Sequence, residues 1–440
     1  MTTIFALSSG HGKAGVAVIR ISGANAGRAL ATLAGGLPKP REAVLRTLRA
    51  PDSGDILDRS LIIWFPSPAS FTGEDVAELH IHGGRAVIES VFRALSTLPD
   101  SHMAEPGEFT RRAFENGKLD LTEAEGLADL IDAETEAQRQ QALRQSSGSL
   151  RTIYEDWRLR LIHALANIEA ELDFSDEGDV PQHVAKRANR DIQTLRDEID
   201  AHLDDGHSGE ILRDGFRVVI AGPPNAGKSS LMNALARRDV AIVSEQAGTT
   251  RDVIEVRLDL GGFPVILMDT AGVREAAGEI EREGVRRTLE RAQEADLVLW
   301  IEDAASARTD HPETIKIPLN ARVIEAWNKI DLTSTPPQGN KLAFSVKTGE
   351  GLDTLITTLT KAASEAAHIG ESPVITRARH RTELEACRTA LDNFLTGAFA
   401  ELELRAEDLR QAATSLGRLT GRVDVEDILD RIFADFCIGK

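Results

Sequence analysis

Gly222-Pro-Pro-Asn-Ala-Gly-Lys-Ser229 follows the apolar run Phe216–Ala221 and precedes the helical stretch Ser230–Ala236. This order of strand, glycine-rich loop and helix is the context that a phosphate-binding P-loop requires. The glycines let the backbone curl so that its N–H groups and the start of the helix face phosphate oxygens. Lys228 would reach the β- and γ-phosphates, and Ser229 would ligate Mg²⁺. The stretch therefore predicts a nucleotide-binding α/β domain.

The surrounding residues 216–364 alternate apolar runs with helical stretches, which is typical of a mostly parallel sheet covered by helices. The predicted strands are Phe216–Ala221, Val265–Met268, Leu297–Ile301, Val323–Trp327 and Leu342–Ser345. Helical periodicity governs residues 150–203 before this region and the chain from about Ser372 after it. Because each amphipathic stripe needs a partner, we predict that the α/β domain is inserted into one helical domain. Asp204–Gly209 predicts a linker.

Residues 1–118 predict a separate domain of mixed α and β structure. Gly15–Ser22 and Leu61–Phe65 are β-branched or aromatic runs bounded by turn-forming residues, which indicates strands. The 440 residues of the whole chain carry a net charge of −19, which argues against nucleic-acid binding through bulk charge. The charge of residues 1–118 is nearly balanced instead, since this part of the chain contains 13 basic and 12 acidic residues.

Several classes of protein are excluded by composition. The two cysteines, Cys387 and Cys437, allow no disulfide framework and no multi-cysteine zinc site. No apolar run approaches the roughly 20 residues that a membrane helix needs, so we predict no membrane association. The first residues, Met1-Thr-Thr-Ile-Phe5, lack the pattern of a signal peptide. A cytoplasmic location is therefore expected.

Three further elements follow predicted strands of the α/β domain. Asp269-Thr-Ala-Gly272 places an acid near Mg²⁺ and a glycine whose N–H senses the γ-phosphate. In Asn328-Lys-Ile-Asp331, the Asp331 carboxylate can accept hydrogen bonds from both N–H groups on the edge of guanine, and the Lys329 stem can cover the base. Ser345-Val-Lys347 supplies another contact on the base side. Together with the P-loop, these elements predict that the nucleotide is GTP.

The group that activates water differs from that of Ras-like enzymes. Ras-like enzymes carry a glutamine directly after the glycine that corresponds to Gly272, whereas this chain has Val273 there. Four glutamates lie in the polar segment that follows: Glu275, Glu279, Glu281 and Glu283. Spacing alone does not choose among them.

The whole chain resembles the TrmE-type tRNA modification GTPases, also called MnmE. Gly248-Thr-Thr-Arg-Asp252 resembles the switch I of this family. Pro106–Phe114 with Gly117–Leu121 resembles its N-terminal domain, and Phe436-Cys-Ile-Gly-Lys440 resembles its C-terminal signature. The resemblance implies an α+β folate-binding and dimerisation domain, an all-α helical domain, and a Ras-like P-loop G domain inserted in the helical domain. The expected limits are 1–118 for the first, 119–213 and 369–440 for the second, and 214–368 for the G domain.

The resemblance also implies a GTPase that depends on potassium. Asn225 matches the potassium-contacting asparagine, and the site would be completed by backbone carbonyls of Ser244, Gln246 and Thr249. A monovalent cation there would supply the positive charge that an arginine finger supplies elsewhere; Arg251 acting as such a finger is the alternative. Thr250 matches a second Mg²⁺ contact beside Ser229, and Glu281 matches the glutamate that activates water.

The GTP contacts that follow from the motifs and the resemblance are Asn225, Ala226, Gly227, Lys228, Ser229, Ser230, Ser244, Glu245, Gln246, Ala247, Gly248, Thr249, Thr250, Asp269, Thr270, Ala271, Gly272, Asn328, Lys329, Asp331, Ser345, Val346 and Lys347.

For the N-terminal domain, the resemblance implies contacts to 5-formyl- or methylene-tetrahydrofolate by Arg20, Glu78, Lys118 and Lys440. Glu78 can pair with the N–H edge of a pterin, while Arg20 and Lys118 can meet carboxylates or carbonyl groups. Without the resemblance, each of these three residues would be interpreted as a surface charge or as a charge that protects a sheet edge. Cys437 is either a buried filler or a thiolate that adds to a uridine ring. Cys387 lies on an apolar stripe and is expected in a core.

In full, the resemblance implies a homodimer that forms a heterotetramer with a flavin-dependent MnmG/GidA-type protein and acts on tRNA. The pair would add a carboxymethylaminomethyl or aminomethyl group to C5 of the wobble uridine. One alternative is a ribosome-assembly GTPase, which would need an RNA module such as a KH loop or a basic tail, and the sequence has neither. The other is a regulatory switch in which residues 1–118 only dimerise.

Overall fold

The computed structural model describes residues 2–10, 12–173, 183–238, 240–242, 255–269, 295–306, 322–333, 341–367, 373–397, 402–423, 426–434, 436 and 439. The chain divides into two compact units, and each is described by itself. Unit 1 comprises residues 1–128, 151–158 and 414–440. Unit 2 comprises residues 129–150 and 159–413.

The described strands are β1 Thr3–Leu7, β2 Ala14–Ser22, β3 Val44–Arg49, β4 Ile56–Phe65, β5 Val76–Gly83, β6 Ser101–Met103, β7 Phe216–Ala221, β8 Glu255–Leu260, β9 Phe263–Asp269, β10 Leu297–Asp303, β11 Arg322–Asn328 and β12 Leu342–Ala343. The described helices are α1 Ala26–Ala34, α2 Arg85–Ser96, α3 Glu108–Glu115, α4 Leu121–Asp132, α5 Glu136–Ser146, α6 Ser149–Asp173, α7 His183–Leu203, α8 Ser208–Asp214, α9 Lys228–Ala236, α10 Leu352–Ala367, α11 Ala378–Thr396, α12 Leu402–Thr420 and α13 Glu426–Ala434.

Unit 1 contains a six-stranded sheet in the order β3-β4-β5-β2-β1-β6. Its neighbouring strands are antiparallel except for β1 and β6. The apolar faces of α1 and α2 pack with the sheet into one core, in which Ile19, Leu30, Leu79 and Leu95 are buried. The sheet confirms the mixed α and β structure predicted for this part of the chain.

Helices α7 and α11 of unit 2 pack side by side and confirm the predicted insertion. The stripe of α7 at Ile192, Leu195 and Ile199 is buried, as are Leu384 and Cys387 on α11. Ion pairs add to the contact, with Arg196 Nε 2.9 Å from Asp392 Oδ1 and Arg388 Nη1 3.0 Å from Asp200 Oδ1. Because α7 precedes the α/β region and α11 follows it, the α/β region is inserted between two helical segments that pack together.

The linker predicted at Asp204–Gly209 is wrong in its second half, because Ser208 begins α8. Gly209 has a packing role there. A Cβ at Gly209 would lie 2.3 Å from the carbonyl oxygen of Ile375, so only glycine allows the helix to approach this segment so closely. The composition is typical of linkers, but the glycine serves a contact that is distant in sequence.

The α/β region has a second six-stranded sheet, in the order β12-β11-β10-β7-β9-β8. Strand β8 is antiparallel to β9, and the other neighbours are parallel. The carboxyl ends of β7, β9, β10 and β11 therefore lie at one edge, where α/β sheets bind ligands. The core beneath this edge includes Val218, Ile220, Leu231, Leu267 and Leu299, all fully buried. The mostly parallel sheet confirms the prediction.

Along the described part of the chain, no helix combines the length and the apolar character needed to cross a bilayer.

Candidate nucleotide-binding site

The loop between β7 and α9 requires glycine at both of its ends. Gly222 has φ +143° and Gly227 has φ +96°, in the left-handed region that favours glycine. A Cβ at Gly222 would lie 2.0 Å from the carbonyl oxygen of Ile301, and a Cβ at Gly227 would lie 2.2 Å from Nδ2 of Asn328. The loop is therefore held tightly against the ends of β10 and β11.

Lys228 begins α9 and folds back over this loop. Its Nζ donates to the carbonyl oxygens of Gly222, at 2.8 Å, and of Pro223, at 3.0 Å. Burial lowers the pKa of the ammonium, and the charge of Asp269 opposes that shift. A buried cation whose partners are neutral carbonyls favours an anion, so phosphate oxygens would be strong partners for it.

The next side chain on the helix meets the end of β9. Ser229 Oγ donates to Oδ2 of Asp269, at 2.8 Å. A hydroxyl and a carboxylate are the oxygen ligands that Mg²⁺ prefers. This donor set fits the ion, and Ser229 with Asp269 would hold it beside the phosphates.

The buried amide of Asn328 joins three loops. Its Nδ2 donates to the carbonyl oxygen of Ala226, at 2.8 Å. Its Oδ1 accepts from the backbone N–H of Lys329, at 2.7 Å, and of Val346, at 3.3 Å. The loop that would hold phosphates and the two loops that would hold the base are therefore parts of one hydrogen-bonded unit.

The base side of this unit is organised around Asp331. Ser345 is fully buried, and its Oγ donates to Oδ1 of Asp331, at 2.6 Å, while it accepts from the N–H of Thr348, at 3.2 Å. Asp331 itself is exposed. A fixed, exposed carboxylate can accept two N–H groups from one ligand edge, as guanine recognition requires.

Lys329 crosses from the base side to the P-loop. It has φ +63°, and its Nζ donates to the carbonyl oxygen of Asn225 and to Oδ2 of Asp303, both at 2.7 Å. Asp303 is a residue of this site that the nucleotide motifs do not include. The available signal was its position at the carboxyl end of an apolar strand run, beside the other strand-end residues of the site.

The described residues that the sequence assigns to GTP lie at this one edge of the sheet. They are Asn225, Ala226, Gly227, Lys228, Ser229, Ser230, Asp269, Asn328, Lys329, Asp331, Ser345, Val346 and Lys347. Other predicted residues lie outside the described part of the chain: Ser244, Glu245, Gln246, Ala247, Gly248, Thr249, Thr250, Thr270, Ala271, Gly272, Glu281, Cys437 and Lys440. The water-activating glutamate and the switch I ligands of potassium stay predictions.

A second candidate site lies in unit 1. Arg20 and Glu78 face each other across β2 and β5, with Nη2 of Arg20 3.1 Å from Oε1 of Glu78. The guanidinium lies over the ring of Phe71, 5.3 Å from its centroid. Lys118 reaches the same place, where its Nζ donates to the carbonyl oxygen of Pro68, at 3.0 Å. All three predicted side chains line one cavity of about 340 Å³.

The cavity also has lining residues that sequence reasoning missed, among them Arg41, Phe65 and Phe71. The aromatic rings suit a flat heterocycle, and the charged groups suit its polar edge and a carboxylate tail. Nothing in the local sequence marks Arg41, because it lies between elements and reaches the cavity only through the folding of the sheet. The residues present fit a reduced folate.

Two family models match the chain. The model described as "GTP-binding protein TrmE N-terminus" matches residues 3–118, and the model described as "MnmE helical domain" matches residues 121–437. A tRNA modification GTPase MnmE of Parvibaculum lavamentivorans is 57% identical over 443 residues, which cover 100% of both chains. Proteins of the same name from Chelativorans sp. and Maricaulis maris are 52% and 51% identical over 100% of this chain and cover 98% and 100% of their own lengths.

Proposed function

Since the chain belongs to the MnmE family of tRNA modification GTPases, we propose that it is a potassium-activated GTP hydrolase that acts with a flavin-dependent MnmG/GidA-type partner. GTP hydrolysis in tRNA modification is the activity of the family. The finer reaction is the addition of a carboxymethylaminomethyl or aminomethyl group to C5 of the wobble uridine of certain tRNAs. The protein would work in the cytoplasm as a homodimer that assembles with the partner into a heterotetramer.

One observation carries the nucleotide part of this proposal, namely the amide of Asn328 between the P-loop and the base loops. A P-loop alone is shared by many classes of nucleotide-binding protein. Here it is bonded to a loop that presents Asp331, held in place by the buried Ser345. Binding of phosphates and recognition of guanine would therefore occur in one hydrogen-bonded site.

Each described side chain has a distinct task in that site. The backbone N–H groups of the loop and the Lys228 ammonium would bind the phosphates, and the Asp331 carboxylate would accept the guanine N–H groups. Ser229 and Asp269 would hold Mg²⁺, which when bound neutralises charge that develops on the phosphates. Breakdown of GTP to GDP and phosphate would change the switch loops rather than drive the tRNA chemistry directly.

Potassium belongs to the same proposal through Asn225, whose exposed side chain lies on the P-loop. Backbone carbonyls of Ser244, Gln246 and Thr249 would complete the ligand set, and Glu281 would orient water. Exchange of KCl for NaCl at equal ionic strength tests this assignment, and we expect GTP turnover to collapse. An unchanged turnover number would reject potassium as the activator. Glu281→Ala should lower turnover and leave GDP affinity unchanged.

In unit 1, the cavity at Arg20, Glu78 and Lys118 would bind 5-formyl- or methylene-tetrahydrofolate, with Lys440 added from the C-terminal tail. The folate would supply the one-carbon unit for the modification. Cys437 would act at the uridine ring. Mass spectrometry of tRNA nucleosides from a deletion strain tests the whole proposal, because the modified wobble uridine should disappear and return on complementation. Unchanged nucleosides in the deletion strain would exclude the modification role.

A further inference from the structure

Asp303 ends β10 next to the end of β11, and in the register of these strands it lies opposite Asn328. The two ends are bonded to each other, because the N–H of Ala304 donates to the carbonyl oxygen of Asn328, at 2.8 Å. The carboxylate of Asp303 is oriented from its own side as well, since Oδ1 accepts from the N–H of Ala305, at 2.9 Å. Its other oxygen, Oδ2, is thereby aimed at Lys329.

Two acceptors hold the Lys329 ammonium. Oδ2 of Asp303 and the carbonyl oxygen of Asn225 both lie 2.7 Å from Nζ. The residues at the two ends of this bridge, Asn225 and Lys329, both have φ +63°. Because the P-loop and Asp303 hold the ammonium, the alkyl stem of Lys329 lies between the phosphate side and the base side of the site.

Of the two acceptors, only Asp303 carries charge. Burial alone would raise the pKa of its carboxyl, but the hydrogen bonds from Lys329 and from the Ala305 N–H bring that pKa below its ordinary value. The side chains of Lys329 and Asp303 are 31% and 25% exposed, so solvent screens the pair only in part. A lysine stem that was not held in this way would lose rotamer freedom on meeting a ligand.

We propose that Asp303 is a positioning residue for guanine nucleotide binding, which holds the Lys329 ammonium against the P-loop and so fixes the Lys329 stem as one wall of the base site. This inference rests on the proposed base site at Asn328–Asp331. It adds a residue outside the nucleotide motifs that determines affinity through Lys329. Asp331 has the separate task of recognising the edge of the base.

The two tasks predict different patterns of loss. The Lys329 stem would cover the face of any purine, so loss of the Asp303 carboxylate that holds it should weaken the binding of GDP and of IDP equally. Loss of the Asp331 carboxylate should weaken GDP more than IDP, because IDP lacks the 2-amino group. From the usual strength of partly exposed ion pairs, we expect Asp303→Asn to raise the Kd of both nucleotides about fivefold.

Asp303→Asn is the informative change because an amide oxygen can still accept from the Ala305 N–H while the charge is lost. Calorimetric titration of the full chain with GDP and with IDP gives the two Kd values. The same substitution in a Lys329→Met background should have no further effect, since the ammonium is already absent. An unchanged Kd, a changed ratio of the two Kd values, or an equal loss in the Lys329→Met background would each overturn the inference.

Glu365→Gln is the matched control, because it removes one carboxylate from the surface pair with Arg322, whose Nη1 lies 2.7 Å from Glu365 Oε2. It should leave both Kd values unchanged. Thermal unfolding checks that each variant is folded, and Asp303→Ser replaces Asp303→Asn if the latter is not. A wild-type chain that binds neither nucleotide defeats the proposed function. A wild-type chain that binds GDP, together with an unaltered affinity in the folded Asp303 variant, defeats only this inference.

Discussion

Asn328→Asp changes one atom of the candidate site, from an amide nitrogen to a carboxylate oxygen. The remaining oxygen can still accept from the N–H groups of Lys329 and Val346. The new oxygen faces the carbonyl oxygen of Ala226, where Nδ2 donates at 2.8 Å in the native chain. With the new carboxyl ionised, the substitution therefore removes the bond from this side chain to the Ala226 carbonyl. It preserves the bonds within the base side and the separate bridge from Lys329 Nζ to the carbonyl oxygen of Asn225.

The magnitude follows from the burial of that bond. Asn328 is only 2% exposed, so the carbonyl of Ala226 loses its donor without gaining access to water. A buried acceptor left without a donor costs about 1–3 kcal/mol, and burial of the new carboxylate beside that carbonyl oxygen adds to the cost. If the substitution destabilises the arrangement that binds GDP by about 2–3 kcal/mol of free energy, GDP affinity should fall about 30- to 150-fold.

Calorimetric titration with GDP measures the affinity, and thermal unfolding monitors the fold. Asn116→Asp is the matched control, because Nδ2 of Asn116 likewise donates to a backbone carbonyl, that of Thr72, at 2.8 Å, but in unit 1. It should leave GDP affinity unchanged. If Asn328→Asp binds GDP within about threefold of the native chain, the joining role of this amide is refuted.

Two further predictions concern unit 1. Glu78→Gln should lower the affinity for 5-formyl-tetrahydrofolate about tenfold and leave GDP affinity unchanged, because a neutral amide is a weaker partner for pterin N–H groups than a carboxylate. An equal folate affinity of the variant and the native chain in a calorimetric titration would contradict this. Burial raises the pKa of Asp120 from 3.8 to about 6, which means that the folded chain favours the protonated carboxyl. The contribution of this group to the free energy of unfolding is therefore fully present below pH 3.8 and is lost as the pH rises through about 6. Asp120→Asn should flatten that dependence in urea unfolding between about pH 4 and pH 7, and an identical slope in both proteins would exclude Asp120 as its source.

Local patterns were enough to predict the elements around the nucleotide site. The strand at Phe216–Ala221 is observed with the predicted bounds, and the following helix starts two residues earlier, at Lys228. A P-loop requires its strand, glycines and helix to be contiguous in sequence, so the whole unit can be predicted from one stretch. For the same reason, the residues of the base motif could be assigned roles before their positions were known.

Contacts between distant strands could not be predicted in this way. Asp303 has no motif of its own, and its role depends on the register that places it opposite Asn328. Arg41 and Phe71 reach the cavity of Arg20 only because the sheet of unit 1 brings separate loops together. The expected linker extends too far, to Gly209, because the packing partner of this glycine, Ile375, is remote in sequence.

The expected nucleotide chemistry and the segments that carry it follow from short motifs, because the local conformation of each motif suits one ligand group. How these stretches act together depends on the folded arrangement of the sheets. The amide of Asn328, the bridge from Lys329 to the P-loop and the pairing of Arg20 with Glu78 all join strands or loops that are remote in sequence. Their geometry depends on strand order and register, which arise from packing of the entire sheet rather than from any one segment.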